Sequence, residues 1–430
     1  MTAPTTDPVT ATGDPRATVR RAAYVSVDPG VPVFGRKGSS VHVQAVLREL
    51  VRAGVEVHVV TTRRGGDVPA DLAGVAVHEV PVARSATTAE REKALQVADG
   101  RVGALLDTLR AAGPLDLVYE RYSLWGKAAT GWARDAGVPS VLEVNAPLVA
   151  EQRTHRELVD EAGAERCARA AIGAATAVVA VSRPVATWAA ERAGSRSGHV
   201  HVLSNGVDTA RITPAPAGRA PASGAARDAF TVLFVGTLKP WHGLDVLVDA
   251  FADVRRRVPR ARLLLVGDGP EREAVLDRAR ALGAGDAVTS TGAVAPAEIP
   301  PLLHRADVAV APYPALDDFY FSPLKVYEYL AAGLPVVASA VGELPGALGH
   351  GSTGRLVPPG DPTALADALV ELAREPRARA VLGARAREAA VERHDWSVVV
   401  DRALAHAGVT THTAVGAAVG AARPGEAHRG

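Results

Sequence analysis

Two α/β domains in tandem, each a parallel sheet doubly wound with helices, are the fold this sequence predicts, and three observations predict it. Short runs of Val, Ala and Leu alternate with longer amphipathic stretches along most of the chain, as strands buried on both faces alternate with the helices that cover them. The stretch TARITPAPAGRAPASGAARDA breaks that alternation in the middle, with the crowded Pro, Ala, Gly and Ser of a linker. A length of 430 residues, 47% of them hydrophobic, suffices for two cores at roughly 100–200 residues per domain.

In the first half the strand candidates are 22–27, 56–62, 76–82, 115–121, 140–146, 177–182 and 199–205. Between the first two, Val43, Val46, Leu47 and Leu50 are spaced as one face of a helix over Ser39–Ala53. After the linker the strands are 230–236, 262–269, 287–294, 307–314, 334–342 and 354–359, with helices over Leu244–Arg257, Glu271–Leu282 and Pro362–Ala373. The predicted domains are therefore 18–207 and 229–394, joined by a linker over 208–228. Residues 1–17 read as a polar, disordered arm without the charged start and apolar middle of a secretory signal, and 408–430 as a flexible tail.

Charge and composition narrow the function classes. Lys plus Arg number 48 against 47 Asp plus Glu, which gives no global attraction to nucleic acid or anionic membrane. No run approaches the ~18 apolar residues of a spanning helix, so the expected location is cytoplasmic, with membrane contact at most peripheral. The single cysteine, Cys167, excludes an internal disulfide and a multi-cysteine metal site, and it reads as packing.

Three segments carry chemistry. The first strand runs into DPGVPVFGRKGSS, where Gly30, Gly35 and Gly38 let backbone amides approach an anion and Lys37 adds a full charge. A plain strand-to-helix turn with a solvated lysine is the alternative. In the second, FVG is followed by TLKPWHGLDVLVDAF, so Lys239 and His242 lie beside Gly236 and Gly243 at a strand end, as donors suited to a diphosphate. The alternative makes His242 a helix cap and Trp241 a core plug. The third is FYFSPLKVYEYLAAG, Phe319 to Gly333. Pro323 suits the first turn of a helix, Ser322 its N-cap and Gly333 its stop. Lys325 in that first turn opposes the helix dipole unless an anion compensates it. Glu328, in an apolar run, needs a donor, met by a ribose hydroxyl pair or by an arginine.

Together with LVYERYS, SNGVD, LLLVGDGPER, TGAV, ADVAVAPYP and GRLVPPGD, these segments resemble, in order and spacing, the family-four retaining glycosyltransferases of the GT-B fold. The resemblance spans nearly the whole chain. It implies two Rossmann-like domains facing across a cleft, the first holding an acceptor and the second a nucleotide sugar (UDP-, GDP- or dTDP-linked), with a terminal helix over 395–407 returning to the first. It also implies transfer to a hydroxyl-bearing small molecule, lipid or glycan with retention of configuration, and neither a metal nor another cofactor. Gly35, Lys37, Gly38, Gly236, Val294 of TGAV, Ser322, Pro323, Leu324, Lys325 and Glu328 are the implied donor contacts. Lys239, His242, Arg121 and Glu328 are the implied catalytic set.

This chain departs from its relatives at identifiable positions. Relatives commonly carry glutamates at the positions that read Tyr320 and Glu328 here; Asp317 and Asp318 are nearby candidates to replace the first. An arginine and a lysine that neutralise the leaving diphosphate in relatives are Thr237 and His242, with Lys239 and Lys325 placed to take over the charge. Arg121 stands where relatives have a histidine. Arginine is no general base but binds phosphates and hydroxyls bidentately. Glu120, Glu143 and Asn145 are expected to line the acceptor side, with a satisfied buried carboxylate as the alternative for Glu143, and Trp125, Pro147 and Leu148 either meet a lipid or belong to the core. Two other functions fit the same architecture, a nucleotide-sugar epimerase and a dinucleotide-dependent redox protein; the latter lacks a full G-x-G-x-x-G with its acidic partner.

Overall fold

The protein is described from a computed structural model that covers residues 17–216, 229–315, 319–320 and 322–411. It divides into two compact units. One comprises the chain up to Val179, Ala189–His201 and the chain from Val400; the other comprises Ala180–Trp188 and Val202–Val399.

In the first unit a short strand β1 (Ala17–Thr18) precedes β2 (Arg21–Ser26), β3 (Glu56–Thr61), β4 (Ala76–Glu79), β5 (Leu117–Arg121), β6 (Ser140–Val144), β7 (Ala177–Ala180) and β8 (Val200–Val202). The sheet order is β4-β3-β2-β5-β6-β7-β8, and the pairs from β4 through β6 are parallel. In the second unit β9 (Phe230–Val235), β10 (Ala261–Val266), β11 (Val288–Ser290), β12 (Val308–Ala311), β13 (Val336–Ser339) and β14 (Gly354–Val357) order as β11-β10-β9-β12-β13-β14, all parallel. Both are doubly wound sheets. Their order reverses between β2 and β5 in one and between β9 and β12 in the other, and such switch points open a crevice at the strand carboxyl ends.

Every predicted strand is present, most of them shorter than predicted and β2 shifted by one residue, because a parallel strand covered on both faces is an apolar run in sequence. The helix Leu244–Arg257 has the predicted limits, and its buried residues Leu244, Leu247, Val248, Phe251 and Val254 follow the helical period. Cys167 is buried, and so is Trp125, which settles it as core.

The limits of the units differ from the predicted ones for packing reasons. Residues 208–216 are anchored to the second unit instead of bridging: Ile212 is buried in its core, and Arg387 donates to the carbonyls of Ile212 and Thr209 at 2.9 and 3.1 Å. The remainder of the expected linker, 217–228, lies outside the described residues, as do most of the expected arm and tail. Within the tail, β15 (Val409–Thr410) pairs in parallel with β1. The terminal helix is Trp396–His406, and the unit limit falls inside it, between Val399 and Val400.

Candidate functional site

In the second unit, three loops leave the carboxyl ends of β9, β10 and β11 and lock together backbone to backbone. Gly236 N donates to Val266 O at 2.9 Å, Leu238 N to Asp268 O at 3.0 Å and Gly267 N to Gly292 O at 3.1 Å. A Cβ on Gly267 would sit 2.1 Å from Gly236 O, and one on Gly243 would sit 1.9 Å from Pro312 O. Only glycine permits these approaches.

The helix Leu324–Ala331 faces this frame. Tyr329 is buried within it, and its hydroxyl accepts from Val235 N at 2.8 Å, which ties the helix to the end of β9. One turn earlier Lys325 extends beneath Gly236. Its Nζ lies 4.2 Å from the ring centre of Phe234 and 5.3 Å from that of Tyr313, and it is buried with no hydrogen-bond partner. Phe234 is on β9 and Tyr313 follows β12, so the ammonium occupies the switch point. Burial lowers its pKa to about 7, against the opposing pull of Glu328.

His242 packs against the same aromatic pair, its ring centre 5.7 Å from Phe234 and 5.6 Å from Tyr313. Nδ1 pairs with the Thr237 carbonyl at 2.6 Å, so this nitrogen carries the proton and Nε2 offers a lone pair. Burial, followed by the charges of Lys325 and Lys239, lowers its pKa to about 4. The sequence places His242 among cationic donors; the structure holds it neutral at pH 7, an acceptor at Nε2. Lys239 is half-exposed, its Nζ 5.4 Å from the ring centre of Trp241. Trp241 is 44% exposed, which corrects its reading as a core plug.

Two readings of the third segment also change. The helix begins one residue after Pro323, which occupies the cap position, and no side chain caps it. The Ser322 hydroxyl instead accepts from Asn205 N at 3.2 Å, because the SNGVD segment packs on the same unit and competes for it. Leu324 is exposed. Glu328 Oε1 lies 3.5 Å from Arg211 Nη2; burial raises its pKa and Arg211 opposes the rise. An arginine partner is therefore present, in a long and half-exposed contact. Tyr320 contributes its carbonyl to Ser182 Oγ at 2.7 Å, and Phe319 packs edge-on against Tyr313 at 4.8 Å. Val294 packs against the same core cluster. Asp317 and Asp318 lie outside the described residues.

In the first unit, Glu143 gathers groups from β5, from the helix Gly38–Arg52 and from the segment after β6. Tyr119 Oη donates to its Oε2 at 2.9 Å. Arg121 Nη1 approaches Oε1 at 3.2 Å and His42 Nε2 at 2.9 Å, and the Asn145 amide donates to the same oxygen. Burial alone would raise the Glu143 pKa, but His42, Arg121 and Asn145 outweigh it and bring it to about 2. Glu143 is thus a satisfied buried carboxylate that fixes Arg121 and Asn145 at the ends of β5 and β6. Glu120 does not line that end. Successive strand residues point to opposite faces, so with Tyr119 and Arg121 turned to Glu143, Glu120 is fully buried on the other face. Burial, and then the charge of Asp99, raise its pKa to about 8.

Gly35 and Lys37 lie on the loop between β2 and the helix Gly38–Arg52, and Gly38 is the first residue of that helix. Gln44 Nε2 donates to Val33 O and Gly35 O at 2.9 and 3.0 Å, which pins the loop. A Cβ on Gly35 would meet Ser40 Oγ at 2.5 Å. Lys37 is exposed. Single-strand patterns carry no signal for Arg211, His42 or the contacts of the β3 loop, because each is brought in from a distant segment.

The pattern of the family described as Glycosyltransferase Family 4 matches residues 36–211, and that of Glycosyl transferases group 1 matches residues 229–375. A D-inositol 3-phosphate glycosyltransferase of Kineococcus radiotolerans is 32% identical over 428 residues, 90% of this chain and 95% of that one. A phosphatidyl-myo-inositol mannosyltransferase of Mycobacterium leprae is 36% identical over 227 residues, 53% of this chain and 57% of that one. Among solved structures, sucrose-phosphate synthase from Thermosynechococcus elongatus has a TM-score of 0.65 at 23% identity, covering 89% of this chain and 96% of that one. That likeness is one of fold. With two doubly wound sheets, a glycine-locked frame at the switch point of the second and a relative similar along most of its length, the chain belongs to the group 1, family 4 glycosyltransferases of the GT-B fold.

Proposed function

We propose that this glycosyltransferase moves a sugar from a nucleotide diphosphate sugar to an acceptor hydroxyl with retention of the anomeric configuration, using its own cations and no metal. Lys325 is the observation that carries the reading. A buried ammonium without a hydrogen-bond partner is costly, and an anion at the switch point turns that cost into binding energy. The diphosphate lies against Lys325, Lys239 and the amides of the loop at Gly236, with Glu328 on the ribose. As the glycosidic bond to the β-phosphate breaks, the charge that develops on the phosphate is met by Lys325. The acceptor oxygen bonds to the anomeric carbon, and its proton passes to the departing phosphate.

The neutral His242 accepts a hydroxyl of the donor sugar at Nε2, a role open to an uncharged ring. Arg121 and Asn145, fixed by Glu143, belong to the acceptor. The two relatives named above act, by their names, on an inositol phosphate and on a phosphatidylinositol, which supports a polyol acceptor, free or lipid-linked. Among the described residues no helix is long and apolar enough to cross a membrane; the proposed location is the cytoplasm, in solution or at the inner membrane face.

A thermal-shift panel of UDP-, GDP- and dTDP-sugars identifies the donor, since a ligand of the native state raises its stability. Transfer is then followed with and without a chelator, and the product's anomeric configuration is read by NMR. Release of nucleoside diphosphate with no consumption of acceptor, or an inverted product, contradicts the proposal.

A further inference from the structure

The carboxyl ends of β2 and β3 carry a feature absent from both sequence segments taken singly. The loop after β2 and the loop after β3 are zipped into a small ribbon: Val33 N donates to Arg63 O at 3.1 Å, Phe34 N to Arg64 O at 2.8 Å and Gly66 N to Phe34 O at 3.1 Å. Phe34 and Gly65 form a parallel bridge. The ribbon is built around close approaches. Gly65 adopts φ +92°, and a Cβ there would stand 2.9 Å from Pro32 Cβ, so a side chain is excluded by conformation and by space.

This pairing sets Arg63 and Arg64 opposite residues 32 and 33, on the loop that runs on to Arg36 and Lys37, and all four side chains are exposed. Among the described residues none of the four forms an ion pair; Arg63 Nη1 donates only to Pro29 O, at 3.3 Å. The acidic residues of the two loops are Asp28, whose Oδ1 is taken by Gly30 N at 2.7 Å, and the exposed Asp67. The ribbon therefore carries a local excess of positive charge on a chain whose formal net charge is only +1. Elsewhere on the surface arginines are commonly paired, as Arg48 is with Asp71 at 2.5 Å. Rigid backbone holding unpaired guanidinium groups at the binding end of a parallel sheet suits a dianionic group, because the guanidinium fork matches phosphate oxygens in pairs.

We infer that Arg63 and Arg64, held in place by this ribbon, bind a phosphate ester carried by the acceptor, whether a soluble polyol phosphate or a phospholipid headgroup. The inference rests on the reading that the first unit holds the acceptor. It adds a charged recognition element, Arg63 and Arg64, that is separate from the donor contacts.

The test uses the full chain and the double variant Arg63→Gln/Arg64→Gln, which leaves Lys37 and the glycines in place. Binding is measured by titration calorimetry with D-inositol 3-phosphate, with unphosphorylated myo-inositol, and by sedimentation with phosphatidylcholine vesicles with or without an equal share of phosphatidylinositol. The expected result is that the phosphorylated probe binds the wild type at least about tenfold more tightly than the variant, weakens as salt is raised, and is preferred over myo-inositol. Response to the soluble phosphate identifies a polyol phosphate; response to the phosphatidylinositol vesicles alone identifies a headgroup. Equal binding of every probe by both proteins, or no binding of any probe by the wild type, overturns the inference. Nucleotide-sugar affinity, measured in parallel, stays within about twofold in the variant. Its failure to respond to Lys325→Met sinks the donor-site reading instead, so the two failures are distinguishable.

Discussion

Lys325 and Gly236 meet where no side chain fits: the ammonium nitrogen stands 3.0 Å from the point a Cβ on Gly236 would occupy. Gly236 also adopts φ +144°, a conformation nearly closed to other residues. Gly236→Ala should lower stability by about 1–3 kcal/mol and, by moving the ammonium, weaken nucleotide-sugar binding at least about tenfold. Chemical denaturation and calorimetry read the two effects separately.

Lys325→Met separates stability from function. It replaces a buried, unpartnered cation by an apolar chain of similar length, a change that tends to stabilise. Turnover should fall about 100- to 1000-fold if the ammonium meets charge developing on the leaving group. A raised Tm with lost turnover is the expected pair of results. Unchanged turnover contradicts the assignment.

The depressed pKa of Lys325 gives the donor affinity a signature in pH. Under the proposed function the cation is the form that binds the diphosphate, and burial in the free protein lowers its pKa to about 7. Nucleotide-sugar affinity should therefore fall as pH rises through 7 and beyond, by up to about tenfold per pH unit, until the pKa of the bound state is reached. His242, at about 4, adds nothing in that range. The slope should vanish in Lys325→Met.

Two buried glutamates of the first unit pull stability in opposite directions. The folded-state pKa of Glu120 is raised from 4.5 to about 8, so its contribution is favourable below 4.5 and is lost as pH climbs to 8. Glu143 is lowered from 4.5 to about 2; its contribution is present above 4.5 and is lost as pH falls towards 2. Glu120→Gln should thus be more stable than wild type at pH 8 and above. Glu143→Gln should be less stable at neutral pH by about 3–5 kcal/mol, because it strips a buried charge network of its centre. Urea unfolding at a series of pH values decides both.

Gly243→Ala tests the frame itself. Its Cβ would clash with the Pro312 carbonyl at 1.9 Å, backbone against backbone, at φ +63°. A loss of about 2–4 kcal/mol is expected, together with loss of donor binding, since Pro312 leads into Tyr313 at the switch point.

What could be read from sequence depended on range. The strands and the helix Leu244–Arg257 were legible because burial on both faces, or on one stripe, writes itself into consecutive residues. Lys325 was legible as a local conflict with its helix dipole, and the structure gives that conflict its aromatic surroundings. The direction of Glu120 was within reach, since counting alternation from Tyr119 puts it on the far face. Ser322 was misread because its competing partner, Asn205, comes from 117 positions away. The charge state of His242 depends on its burial and then on Lys325, far along the chain, and the placement of Arg63 and Arg64 depends on a pairing between two loops. None of these leaves a mark in any single window.

The lock among Gly236, Gly267 and Gly243 has a consequence for how such an enzyme diversifies. Its contacts are backbone to backbone, so the scaffold of the donor pocket is indifferent to which side chains project from it. The side chains of Thr237 and Trp241, both exposed, hang from that scaffold and are not among the contacts that hold it together. Under the proposed function, donor preference can therefore drift, or be engineered by saturating those two positions, without rebuilding the sheet beneath them.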